Sequence, residues 1–221
     1  MDITTGDHWA ALRLSGGASW SAIRAQLESL APGDTARVVL IDIDGGASLD
    51  GWDPEATRWL SHEYTTPVVV ALSGSVAGDM ANLALAADIR IAADSLCFDL
   101  TSIQDGPSRA RAATLLPALS ITGATAPTFT AAEALEVGLV SRLVPQSRLA
   151  AAARDIVEAI ATRGPIATKL GKEAVWRGLE MPLEQALRFE TDLTLLLQTT
   201  KDRAEGVAAF AEKRNPHFTG E

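Results

Sequence analysis

The residues best placed for chemistry lie in a glycine-containing turn between an apolar run and an alanine-rich segment. Val68–Leu72 has the length and β-branched composition of a buried strand, and residues 79–87 are rich in the helix formers Ala and Leu. Gly74 and Gly78 lie between them and allow the backbone to approach a ligand closely. A strand, a glycine turn and a helix N-terminus together direct N–H groups at one point, which suits an anion or a developing oxyanion. An ordinary junction between a strand and a helix of a parallel sheet has the same pattern.

Three carboxylates near this turn could move a proton: Asp79, Asp99 and Asp105. Each is equally consistent with a solvated loop acid or a helix cap. The three histidines lie far from the turn in sequence, at positions 8, 62 and 217. The sequence has no metal-ligand spacing, no Walker-type loop and no Ser-His-Asp pattern.

The flanking patterns predict the elements that position the turn. Strands are predicted at 9–14, 37–43 and 89–92, and a helix follows Ser19 because Trp20, Ile23 and Leu27 have helical spacing. The loop over 44–54 follows a predicted strand, and ligands gather at the carboxyl ends of parallel strands. A helix is predicted over 55–64, a capping box at Thr130 and Glu133, and mainly helices from 149 onward.

Composition limits the classes of function. The 221 residues are enough for one sizeable core, and a net charge of −9 argues against non-specific nucleic-acid binding. No apolar run reaches the length of a membrane span, and the first residues carry no targeting pattern. A single cysteine, Cys97, excludes an internal disulfide and fits a reducing cytoplasm. Its apolar neighbours predict a buried thiol.

The stretch PVVVALSGSVAGDMANLALAADIRIAAD resembles a segment of the enoyl-CoA hydratase/isomerase (crotonase) superfamily. Its glycines at 74 and 78, and the runs 83–86 and 88–92, match the family pattern. FTAAEALEVGLVSRLVP and the C-terminal helical sequence also resemble that family. The resemblance implies an α/β fold, with a crotonase-like ββα spiral core over residues 1–148. It also implies a C-terminal helical, trimerisation region over residues 149–221.

In this family two backbone N–H groups form an oxyanion hole, and the resemblance assigns them to Asp50 and Asp79. The motif around Asp50 is short, so a plain turn is equally consistent with the sequence. The Asp50 carboxylate would oppose a developing oxyanion unless it is turned away. A side chain filling the space between the two amides would argue against chemistry.

The two glutamates of family hydratases are replaced here by Asn82 and Ser102. Neither side chain titrates near neutral pH, so neither can act as the family's base. If catalysis survives, another carboxylate must act, and we place Asp105 first and Asp79 second.

The resemblance implies an acyl-CoA or acyl-carrier-protein thioester as substrate, with coenzyme A as part of the substrate and no other cofactor or metal. It places Lys213 and Phe218 at the adenine end of CoA, and implies a homotrimer or a dimer of trimers. The expected reaction is hydration, dehydration or isomerisation, catalysed by a hydratase/isomerase-like lyase. The expected setting is secondary metabolism. The alternative is a catalytically impaired accessory protein that assists a partner thioester enzyme.

Overall fold

The computed structural model describes residues 1–30, 36–101 and 128–221. Its main sheet orders β1 (Asp2–Gly6), β2 (Trp9–Leu14), β4 (Val38–Ile43), β6 (Val68–Leu72), β8 (Ile89–Ala93) and β11 (Arg142–Val144) from one edge to the other. β1 runs antiparallel to β2, and the remaining neighbours are parallel. The parallel strands end at one edge of the sheet, which is where the loops of interest lie.

Short strands follow the long ones and form smaller sheets. They are β3 (Gly17–Ser19), β5 (Ser48–Asp50), β7 (Ser75–Val76), β9 (Cys97–Asp99) and β10 (Thr128–Thr130). β3 pairs with β5, and β9 lies between β7 and β10. β3 leads into α1 (Trp20–Leu30), β5 into α2 (Pro54–Arg58) and β7 into α3 (Gly78–Ala86). The repeated order of long strand, short strand and helix confirms the predicted ββα spiral.

Alternation along the strands fills both faces of the main sheet. In β4, Val39 and Ile41 join the core cluster that includes α1 and α3. Val38 and Leu40 join the opposite cluster, which is covered by the helix α5 (Leu149–Ala161). Because α5 packs on the sheet, the sheet core continues past residue 148. The domain boundary at 148 stays a prediction.

The remaining helices are α4 (Ala131–Glu136), α6 (Pro165–Gly178), α7 (Leu183–Gln198) and α8 (Lys201–Glu212). The predicted capping box of α4 is confirmed, since the Thr130 hydroxyl accepts from the Glu133 amide and the Glu133 carboxylate accepts from the Thr130 amide. The helix predicted over 55–64 instead changes at Trp59 into a π-helical turn, Trp59–Glu63.

Asp88 ties α6 to the sheet. Its carboxylate accepts from the Val68 amide at 2.7 Å, from Trp176 Nε1 at 2.6 Å and from Lys172 Nζ at 3.0 Å. Burial lowers the pKa of Lys172, and the neighbouring Asp88 carboxylate opposes that shift. Lys172 also donates to the carbonyls of Leu60 and Thr66. Removal of this carboxylate would leave a buried cation without its charged partner.

Charged side chains hold the last residues in place, among them Arg37 and Glu205. Arg37 is 7% exposed and donates from Nη2 to the Phe218 carbonyl at 2.8 Å. Glu205 accepts from Arg214 Nη2 at 2.9 Å and from the His217 amide at 2.7 Å. Hydrogen bonds from the Arg214 side chain lower the pKa of Glu205 to about 2.

The prediction of a buried Cys97 thiol is wrong, because the residue is exposed. In β9 the alternating side chains place Phe98 inside, at 0% exposure, and direct Cys97 outward. Over the described ranges, none of the helices has the length and apolar character needed to cross a membrane.

Candidate active site

Two loops at the carboxyl edge of the main sheet touch backbone to backbone. A Cβ added to Gly45, after β4, would lie 2.7 Å from the Cα of Gly74, after β6. Gly74 has a φ of +63°, which residues with side chains rarely adopt. The contact therefore requires glycine on both loops, and it sets the position of the chain that leads into α3.

The loop after β5 forms one wall of the site. Ser48 donates its amide to the Gly16 carbonyl at 3.2 Å, and N–H groups alternate sides along a strand. The amide of Asp50, two residues on, therefore faces β3. Gly51 then turns the chain with a φ of +78°, and Asp53 accepts from the Ala56 amide at 2.8 Å to cap α2. The Asp50 side chain is exposed. This agrees with the requirement that its carboxylate be turned away from a developing oxyanion.

The opposite wall is the start of α3. Gly78 has a φ of +57°, and no side chain caps the helix at Ala77. The first amides of a helix have no acceptor within the helix, and the assignment of the Asp79 amide to the oxyanion hole stays a prediction. The resemblance assigned the facing amide to Asp50. In the structure, the Trp52 amide is the one that reaches this helix start.

The Asp79 carboxylate bridges the two walls. Its Oδ2 accepts from the Trp52 amide at 3.3 Å, and its Oδ1 accepts from Asn82 Nδ2 at 3.4 Å. Both distances are beyond the usual range for strong hydrogen bonds, and Asp79 is only half-buried. The Asp79 side chain therefore lies between the loop after β5 and the start of α3, and only long hydrogen bonds hold it there.

Asn82, which the resemblance aligns with the first hydratase glutamate, is 4% exposed. Among the described residues, none donates a hydrogen bond to its Oδ1. Ser102 and Asp105 lie outside the described residues, so their roles stay predictions, as does the role of Asp50.

Asp99, a candidate from the sequence, and Asp42, near the end of β4, have other partners. Asp99 accepts from the Thr101 amide at 2.8 Å, and hydrogen bonds from Thr101 lower the pKa of its carboxyl group. Asp42 is half-buried on the sheet face opposite α3, where burial raises its pKa against the effect of Arg13. Neither residue is joined to Asp79 or Asn82 by a described hydrogen bond.

A tryptophan cluster supports the loop wall. The Trp52 ring lies 4.7 Å from that of Trp20, which lies 5.7 Å from that of Trp59. Trp52 Nε1 donates to Thr57 Oγ1 at 3.0 Å. The ring that anchors the loop therefore belongs to the same residue whose amide reaches Asp79.

The two residues assigned to the adenine end of CoA are in different environments. Lys213 is exposed and ends α8 with a φ of +56°. The Phe218 ring lies against Gly164 and Gly206. Phe210, on the last turn of α8, is 88% exposed. The assignment of Lys213 and Phe218 to CoA stays a prediction.

No group of His, Cys, Asp or Glu side chains in the described ranges could hold a metal ion. A family model described as enoyl-CoA hydratase/isomerase matches residues 54–221. The chain is 35% identical over 164 residues to the (E)-benzylidenesuccinyl-CoA hydratase of Thauera aromatica, covering 70% of this chain and 63% of that protein. It is 32% identical over 155 residues to the short-chain-enoyl-CoA hydratase of Clostridium acetobutylicum, covering 67% and 59%.

The matches therefore span less than two thirds of these curated relatives. A solved structure of an enoyl-CoA hydratase from Bacillus anthracis is similar over the whole chain. Its TM-score is 0.84 at 28% identity, with 100% of this chain and 99% of that chain covered. This similarity supports the fold over the described ranges.

Proposed function

Because the chain belongs to the enoyl-CoA hydratase/isomerase family, we propose that it binds an acyl thioester between the loop after β5 and the start of α3. It acts on that thioester by hydration, dehydration or isomerisation. The observation that carries the proposal is the long hydrogen bond from the Trp52 amide to the Asp79 carboxylate, which joins the loop after β5 to the start of α3.

The chemistry is stabilisation of an enolate. The thioester oxygen would accept from the Asp79 amide and from one amide of the facing loop. One such donor is worth about 3 kcal/mol in the transition state. Asp50 is the last residue of β5, which pairs with β3. Its amide can be the second donor only if it leaves that pairing. Otherwise the Trp52 amide supplies it once the carboxylate moves away.

The Asp79 carboxylate would move the proton. Within the described part of the site, this carboxylate lies between Trp52 and Asn82. The Asn82 amide cannot exchange a proton near neutral pH. Long hydrogen bonds to Trp52 and Asn82 let it turn toward an acyl group at little cost. Asp105 stays the other candidate from the sequence.

For the CoA portion, the exposed surface of α8 offers matching chemistry. The Lys213 ammonium suits a phosphate, and the Phe210 ring suits a purine face. The pantetheine arm is common to CoA and acyl carrier proteins, so binding of free CoA distinguishes them. A reducing compartment such as the cytoplasm suits the exposed, unpaired thiol of Cys97.

We also propose assembly into a homotrimer through the C-terminal helices. Several of their large apolar side chains are more than half exposed in the single chain, among them Val175, Leu183, Leu187, Leu195 and Leu196. Such a concentration of exposed apolar surface is typical of an interface between subunits.

A catalytically impaired accessory protein is the second candidate. Two features favour it. The Asp79 carboxylate already accepts the hydrogen bond of the Trp52 amide, and the buried Asn82 side chain does not titrate. In this case the protein would hold a thioester without turning it over.

Hydration of crotonyl-CoA tests the two candidates. The unmodified protein, the Asn82→Glu/Ser102→Glu double variant and a titration with CoA are measured together. Turnover by the unmodified protein supports the enzyme hypothesis and excludes the hypothesis of an impaired accessory protein. CoA binding with turnover only in the double variant supports the accessory protein. Absence of binding both to CoA and to an acyl carrier protein in every variant refutes both.

A further inference from the structure

A cavity of about 1030 Å³ lies at the amino ends of β2 and β4. Four parts of the chain line it: the turn between β1 and β2, the start of β4, the end of α5 and the C-terminal tail. The proposed thioester site lies at the carboxyl edge of the same sheet. The length of β4, six residues at about 3.3 Å each, therefore separates the two places. The volume of the cavity is sufficient for a small-molecule ligand.

Arg37 brings a buried cation to this cavity. The residue is 7% exposed, and it donates from Nη2 to the Phe218 carbonyl at 2.8 Å and from Nη1 to the Ala161 carbonyl at 3.4 Å. Both of these acceptors are neutral. In the part of the chain that the structure describes, no acceptor reaches Arg37 Nε. A buried guanidinium with an unused donor and neutral partners is costly, and a bound anion would supply both the acceptor and the opposite charge.

Three more nitrogen-bearing side chains line the same cavity: Arg163, His8 and His217. The Arg37 amide donates to the His8 carbonyl at 2.7 Å, which holds the turn between β1 and β2 beside Arg37. The His217 amide donates to Glu205 at 2.7 Å, which holds the tail. The cavity therefore brings together donors from segments that lie far apart in sequence.

Two carboxylates in the lining, Asp7 and Glu158, oppose an anion. The Asp7 side chain is 98% exposed and lies 3.6 Å from His8 Nε2, and Glu158 is exposed on α5. Water and salt screen exposed charges, whereas a buried charge acts through a medium of lower dielectric constant. Because Arg37 is the buried member of this charged set, the inner part of the cavity is positive.

We propose that this cavity binds a small phosphomonoester, whose phosphate group accepts from Arg37 Nε and is further neutralised by Arg163. A phosphate group carries about 1.5 to 2 negative charges near pH 7 and three acceptor oxygens, so it can accept from several segments at once. Guanidinium groups suit this geometry. The organic part of the ligand would contact Trp9 and Phe218, which line the same cavity. The site is independent of the proposed function.

Titration with glycerol 3-phosphate, followed by phosphorus NMR, tests the proposal. The unmodified protein is expected to show saturable binding. Arg37→Met keeps most of the aliphatic stem and should weaken binding about 10- to 100-fold, the value of a charge-assisted hydrogen bond. Arg163→Glu reverses an exposed charge and should weaken binding about 3- to 30-fold. Thermal unfolding measures whether each variant is folded.

Arg148→Glu is the matched control, because it reverses another exposed arginine at the opposite end of α5. The 13 residues of that helix place it about 20 Å from Arg163, which is beyond the Debye length of about 10 Å in 0.1 M salt. This variant is expected to bind glycerol 3-phosphate like the unmodified protein. If Arg37→Met does not fold, the comparison of Arg163→Glu with Arg148→Glu decides.

Absence of saturable binding overturns the proposal, and so does full affinity in a folded Arg37→Met. Equal weakening in Arg163→Glu and Arg148→Glu also overturns it, since binding would then follow the net charge alone. Loss of binding in Lys213→Ala with none in Arg163→Glu would move the phosphate to the surface proposed for CoA. Displacement by succinate at a lower concentration than by inorganic phosphate would overturn the assignment to phosphate. Hydration of crotonyl-CoA is not expected to change in Arg163→Glu.

Discussion

Replacement of Asp79 by alanine separates the two roles assigned to its carboxylate. The variant removes the acceptor of hydrogen bonds from Trp52 at 3.3 Å and Asn82 at 3.4 Å, and it removes an acidic group from the first turn of α3. Long, partly solvated bonds contribute about 1 kcal/mol together, and the acid near the helix N-terminus contributes about 0.3–1 kcal/mol. At about 2–4 °C per kcal/mol for a chain of this size, the melting temperature should fall by about 2–8 °C.

The kinetic effects of this variant should have opposite directions. Loss of a proton carrier is expected to lower kcat by about 10²- to 10⁴-fold. Affinity for the thioester is expected to rise by about 3- to 10-fold, because the carboxylate no longer competes for the Trp52 amide. Crotonyl-CoA hydration and calorimetric titration of butyryl-CoA measure the two effects separately.

Glu55→Ala is the matched control, since it removes an exposed carboxylate from the first turn of the neighbouring helix α2. An unchanged kcat in Asp79→Ala would refute the role of this carboxylate in proton transfer. Unchanged affinity would show that the carboxylate does not compete with the ligand.

Three further perturbations test the framework of the site. Gly45→Ala places a Cβ 2.7 Å from backbone and should cost about 1–3 kcal/mol in urea unfolding, whereas Gly46→Ala, with nothing within 4 Å, should cost little; equal losses would contradict the close contact. Asp88→Leu leaves a buried ammonium unpaired and should cost about 3–5 kcal/mol, so a near-neutral unfolding result would contradict the pair. Because the fold lowers the pKa of Glu205 from 4.5 to about 2, its stabilisation is present above pH 4.5 and is lost as the pH falls toward 2. Melting temperatures of the wild type and Glu205→Gln should therefore converge over that range, and a constant difference would contradict the shift.

Local patterns predicted the elements that surround the site. Val68–Leu72 is the predicted strand, and α3 spans Gly78–Ala86 where the sequence predicted residues 79–87. The capping box at Thr130 was predictable because its two partners are three residues apart. Signals of this kind depend on neighbouring residues, which a single sequence displays.

Pairings between distant segments were not predictable in the same way. The short strands β5 and β7 have two or three residues, and their stability depends on partners elsewhere in the chain. The sequence identified Asn82 and Asp79 as departures from the family pattern. It gave no sign that the Asp79 carboxylate would contact Trp52, because that contact joins loops 27 residues apart.

The tryptophan cluster gives this protein a built-in optical reporter. The Trp52 indole lies tilted against that of Trp20, while the backbone of the same residue contacts Asp79. Displacement of the carboxylate by a bound thioester would shift this indole relative to its neighbour and change the intrinsic fluorescence. Stopped-flow measurement of tryptophan fluorescence can therefore follow ligand binding in the unlabelled protein, even in a variant without catalytic activity.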